Sequence, residues 1–159
     1  MKSKALYLRV VVFGIIDALV STVGLLVGLD VAGVPYATIV LTGTIYAFVE
    51  AFSMAIGNFL SEESSEEYIH KAKVEDYFPM FAGVLMFITS VLAAFVPIVP
   101  YLIFTDSAAL IVSVAASLLV LFFVGMLSAY LSHLSLVSRG VRMVLLGGAA
   151  IGLGIVIGL

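Results

Sequence analysis

Five long apolar runs, parted by short polar breaks, constrain this chain more than any other feature of its sequence. They lie at about 10–29, 36–60, 79–103, 108–131 and 141–159, with ends set to within roughly 2–4 residues. A helix needs roughly 20 apolar residues to cross about 30 Å of hydrocarbon, and each run meets that length. Lipid offers no partner to a backbone amide, so a spanning segment must satisfy its own hydrogen bonds as a helix. The expected fold class is therefore an all-α membrane protein, a bundle of five transmembrane helices forming one domain over residues 1–159. Composition agrees with this. The 159 residues are 64% hydrophobic and 11% charged, with mean hydropathy +1.30, against roughly 45–50% and about 25% in a soluble domain. No room remains for a separate soluble domain.

The breaks set the connections. Residues 30–35 and 105–107 read as tight turns, residues 61–78 as the one long polar loop, and residues 132–139 as a further polar break. Pro97 and Pro100 each lack a backbone donor and are expected to kink or end the third helix. With five spans, the N-terminus and the second and fourth connections share one side. All 7 cations fall there: Lys2, Lys4 and Arg9 before the first helix, Lys71 and Lys73 in the long loop, Arg139 and Arg142 before the fifth helix. The positive-inside rule makes that side cytoplasmic and puts the C-terminus on the opposite side. No small-residue cleavage site follows a short apolar core near Met1, so the first run is expected to be retained as a helix.

Several classes of function drop out. Without cysteine there is no disulfide, thiolate zinc site or iron–sulfur cluster. A net charge of -3 and pI near 5.2 supply no basic surface for nucleic acid. No phosphate-binding glycine loop, nucleophile elbow or His-Glu-x-x-His pattern is present, and an enzyme is not expected. No resident cofactor is expected either; any bound metal is cargo.

Asp17 and Glu50 carry the functional argument. They fall mid-run in the first and second helices, where a buried Asp costs roughly 2.5–3.5 kcal/mol on translocon scales, and intramembrane acids mark ion or substrate pathways. The bland alternative is a pair of protonated carboxyls joined across a helix seam. On the second helix Gly43, Tyr46, Glu50, Ser53, Met54, Gly57 and Asn58 recur at spacings of three and four, so they share a face. A carboxylate, a hydroxyl, a thioether and an amide then line one stripe. Met54 alone would be core filler; one turn from Glu50 and facing Asp17 it is a soft ligand. Carboxylate with thioether suits Fe²⁺ or Mn²⁺ better than Mg²⁺ or Ca²⁺, which want oxygen alone. The candidate metal site is thus Asp17, Glu50, Met54, Ser53 and Asn58.

Glu62, Glu63, Glu66, Glu67 and His70, with Glu75 and Asp76, crowd the long loop. They form a candidate cytoplasmic metal mouth if the second helix continues, or else a solvated acidic helix end balanced by Lys71 and Lys73. His133 reads as an interfacial polar residue. Small residues one turn apart, Asp17-Ser21-Gly24-Gly28 on the first helix, Gly148 to Gly152 and Gly154 to Gly158 on the fifth, indicate close helix packing.

The run from Phe13 to Thr22, the run Glu50-Ala-Phe-Ser-Met54-Ala-Ile-Gly57-Asn58-Phe-Leu-Ser61, and Pro97-Ile-Val-Pro100-Tyr101 resemble the vacuolar iron transporter family. The resemblance implies five transmembrane helices, a homodimer, and export of Fe²⁺ or Mn²⁺ from the cytosol in exchange for protons. It also matches Asp17 and Met54 to intramembrane metal-pathway positions, and Glu50 to a position often acidic in prokaryotic relatives. Full-length members insert a helical cytoplasmic metal-binding domain where this chain has only residues 61–78, so the chain looks similar to the short, nodulin-like branch. The expected protein is an integral multi-pass transporter, in the cell membrane of a prokaryote or the vacuolar membrane of a eukaryote. Its partners would be metal ions, protons, lipid and a second copy. Two other readings use the same residues: a passive divalent-cation channel, and a non-transporting scaffold in which Asp17 and Glu50 only pin helices.

Overall fold

The computed structural model describes residues 2–71, 77–105, 107–132 and 135–159, with side chains described from Leu6 onward except those of residues 70, 77 and 78. Five helices make up the described chain: α1 (Lys2–Val31), α2 (Tyr36–His70), α3 (Tyr77–Ile103), α4 (Ala108–Leu131) and α5 (Leu136–Gly158). Each is long and apolar enough to cross a membrane. The surface confirms the solvent. Val49, Leu92, Leu145 and Val156 are 64–70% exposed, while Thr22, Ser90, Ser113 and Ser117 are fully buried. A bundle that hides hydroxyls and displays aliphatic side chains is built for hydrocarbon, where small and polar residues supply the helix–helix contacts.

Helix α1 is the axis and packs against all four others. Helices α2 and α3 pair on one side of it and α4 and α5 on the other, with α3 touching α4; α2 reaches neither α4 nor α5 among the described residues. Glycines set the closest crossings. A Cβ on Gly154 or Gly158 of α5 would overlap the carbonyl oxygen of Gly24 or Gly28 of α1, so the two backbones meet directly. Gly148 and Gly152 have no neighbour within 4 Å. Of the two small-residue pairs on α5, only Gly154 and Gly158 thus serve the seam within the chain.

Two sequence expectations are revised. The stretch from residue 61 to 70, expected within a loop, continues α2 to His70. Its glutamates are good helix formers, and apolarity marks where lipid ends, not where the helix does. The helix ends at Lys71, which takes a left-handed conformation at φ 53°, and only residues 71–76 separate α2 from α3. Second, α1 and α5 begin earlier than their apolar runs, at Lys2 and Leu136. Helix α3 ends where its apolar run does, at Ile103, and carries both prolines inside it. Ser113 of α4 donates to the Pro97 carbonyl oxygen at 2.8 Å, and such hydroxyls from neighbouring helices let membrane helices carry proline.

Candidate metal site

Because α2 and α5 both lean on α1 without meeting, a strip of α1 between them stays uncovered. Asp17, Ser21, Gly24, Leu25 and Gly28 follow one another along that strip at helical spacing. They floor a groove of about 470 Å³ whose other wall is α5, from Ala150 to Gly158. On the α2 flank, Leu25 joins Thr42, Ile45, Tyr46 and Val49 around a second hollow of about 350 Å³. Asp17 is the twelfth of the 26 residues in the span Leu6–Val31, so its carboxylate lies at mid-depth.

Glu50 faces the same strip from α2. The Ser21 hydroxyl donates to its Oε2 at 2.8 Å and the Tyr46 hydroxyl to its Oε1 at 3.0 Å. Ser21 Oγ also lies 2.7 Å from the Asp17 carbonyl oxygen. The Asp17 carboxylate lies within electrostatic reach of Glu50 and Tyr46, yet no described side chain hydrogen-bonds to it. Two carboxyl groups thus lie near each other at mid-depth, one bonded by two hydroxyls and the other opening onto the groove. Such an arrangement calls for a cation or a proton.

Met54, one turn beyond Glu50, opens onto a different space. A cavity of about 440 Å³ between α1, α2 and α3 is lined by Arg9, Val10, Phe13, Met54, Gly57, Asn58, Ser61 and Met86. The Ser90 hydroxyl of α3 contacts Met54 Sδ at 3.7 Å. Asn58 stands on the wall with its Nδ2 buried and without a hydrogen-bond partner. Ser53 is exposed on the α2 flank and borders neither space. Glu50, next to Met54 along α2 and bonded to Ser21 of the groove, is the link between cavity and groove.

The acidic end of α2 divides as well. Glu62 turns inward, 8% exposed, and accepts a charge-assisted hydrogen bond from Arg9 of α1 at 2.5 Å. Glu63, Glu66 and Glu67 are half-buried. No three histidines or acids converge in a metal-holding group among the described residues. The side chain of His70 lies outside the described residues, as do Lys73, Glu75, Asp76 and His133.

Sequence reasoning passed over Arg9 as a site residue and did not single out Met86 or Ser90. Thr89 and Ser90 are hydroxyls in the midst of an apolar run, with Met86 one turn before Ser90, which was the available signal. Their rotation toward α2 depends on how α1 and α3 cross, which no single-helix pattern encodes. A family model described as VIT family matches the chain over residues 8–77 and 72–159, covering every residue of this site. A search of curated proteins found no match.

Proposed function

The chain belongs to the VIT family, the vacuolar iron transporters, which implies transport of metal ions across a membrane; from that premise we propose that it exports Fe²⁺ or Mn²⁺ from the cytosol by exchange with protons. The observation that carries this reading is the Asp17 carboxylate opening onto the groove at mid-depth beside Glu50. Asp17 and Glu50 hold the ion, Met54 with Asn58 lines the cavity one turn away on α2, and two spaces lead away from this level toward opposite ends of α1. The cavity at Arg9 and Ser61 faces the cation-bearing end, which is the cytoplasmic one by charge asymmetry. The groove runs to Ala32 and Gly158 at the other end.

Proton exchange follows from hydrogen-bond accounting. Ser21 has one proton to give but two acceptors within 2.8 Å, Glu50 Oε2 and the Asp17 carbonyl. A proton on Glu50 completes both contacts, since the carboxyl then donates to Ser21 Oγ and Ser21 to the carbonyl. A metal ion binds the deprotonated carboxylate and releases that proton. Glu63, Glu66 and Glu67 gather cations at the cytoplasmic end of α2. The uncovered strip of α1 is where a second copy completes the pathway as a homodimer.

Purified protein in proteoliposomes holding a metal-sensitive dye tests the reading. Asp17→Asn and Met54→Leu are expected to abolish Fe²⁺ and Mn²⁺ flux, and an imposed pH gradient to drive it. Unchanged flux in both variants removes the site. Flux indifferent to the gradient in the intact protein makes it a passive channel.

A further inference from the structure

The cavity between α1, α2 and α3 has a chemistry of its own. Neither Asp17 nor Glu50 lines it; its ligand-bearing groups are two thioethers, Met54 from α2 and Met86 from α3, with the amide of Asn58. Met54 packs against the cluster that contains Met86, and the Ser90 hydroxyl lies near both, close to Gly14 of α1. A Cβ there would lie 2.9 Å from Met86 Sδ and 3.0 Å from Ser90 Oγ, and that same Oγ contacts Met54 Sδ at 3.7 Å. Gly14 thus leaves room for Met86 Sδ and for the hydroxyl that touches Met54. Met54 and Asn58 are one turn apart on α2, as Met86 and Ser90 are on α3, so the four face one another in two pairs. The Asn58 Nδ2, buried and unbonded, is available to a water carried in by an ion.

Two neutral sulfurs without an anionic oxygen suit a soft ion, as thioethers select Cu(I) over harder divalent cations. Glu50, one turn from Met54, is turned to the Ser21 and Tyr46 hydroxyls, and Glu62 at the cavity's end is neutralised by Arg9, which favours a single positive charge. We propose that Met86 pairs with Met54 as a two-sulfur site for a soft monovalent cation of the Cu(I) or Ag(I) class, separate from the carboxylates. It shares Met54 and Asn58 with the transport reading and stands without it.

Silver ion in chloride-free buffer is the probe, because it has no redox chemistry to confound. The full chain has 6 methionines, so methyl-¹³C-methionine labelling gives six resonances, assignable from single Leu variants. One equivalent of Ag⁺ is expected to shift the Met54 and Met86 methyls in step and leave Met80, Met126 and Met143 in place. Met86→Leu should weaken Ag⁺ binding roughly tenfold or more; should that variant misfold, the intact protein's titration decides alone. A moving Met54 beside a stationary Met86 reduces Met86 to packing, and two stationary methyls remove the site. In Asp17→Asn the Ag⁺ response is expected to persist while Mn²⁺ flux is lost. Loss of both overturns the separation of the two sites, whereas loss of Mn²⁺ flux in the intact protein alone would sink only the transport reading.

Discussion

A serine holds the central acid. Ser21 bonds Glu50 across the α1–α2 contact while tied to its own helix, so it fixes where the carboxylate stands, and on the proposed reading where it would meet an ion. Hydrogen bonds to charged groups contribute about 1.5–3 kcal/mol, so Ser21→Ala is expected to raise the KM for Mn²⁺ flux roughly tenfold, and Ser21→Thr to restore most of it. An unchanged KM in Ser21→Ala would leave Glu50 positioned by Tyr46 alone. The Arg9–Glu62 pair is lopsided: the Arg9 side chain is 64% exposed and that of Glu62 10%. Removing Arg9 strands a buried acid, while Glu62→Gln leaves an arginine that water can solvate. Thermal unfolding should therefore show a larger drop for Arg9→Ala than for Glu62→Gln, and equal drops would make the contact a surface one. Asp17, Glu50 and Met54 were singled out in the sequence as candidates because acids are rare in hydrocarbon and a thioether one turn away stands out. Met86 was not, since methionine is ordinary in a core and only tertiary placement brings its sulfur to the cavity.

At the level of the helix, the fifth element carries its own internal control. Gly154 faces the Gly24 carbonyl, whereas Gly148 and Gly152 face open space. Glycine within a helix costs roughly 0.5–1 kcal/mol relative to alanine, so Gly148→Ala and Gly152→Ala are expected to hold or slightly raise the unfolding temperature. Gly154→Ala has to push two backbones apart and is expected to lower it. A common response at all three positions would show that these glycines do not set the α1–α5 seam. The number and order of the helices could be read from apolar runs because bilayer thickness imposes a minimum length on each. Their true ends could not, since a hydropathy window stops at the lipid surface. Helix α2 crosses that surface and goes on for a further ten residues through Ser61-Glu62-Glu63 to His70.

For the molecule as a whole, an odd number of spans has a consequence that the cysteine-free sequence makes simple to check. Single cysteines at Ala32, Ser64 and Ser132, all exposed, become the only thiols present. A membrane-impermeant maleimide is expected to reach Ala32→Cys from one side and Ser64→Cys and Ser132→Cys from the other. Labelling of all three from the same side would break the alternation of spans. That the site lies open between α2 and α5 was beyond sequence reading, because it depends on two helices failing to touch.

The length of α2 has a mechanical consequence. At 1.5 Å per residue its 35 residues form a rod of about 52 Å, and Glu50 lies about 30 Å below its tip at His70. A continuous helix is stiff, so tilt imposed at the tip is felt undiminished at Glu50 and Met54. The Arg9 contact at Glu62, about three-fifths of the way up from Glu50 to the tip, is the mooring that any such tilt must slip.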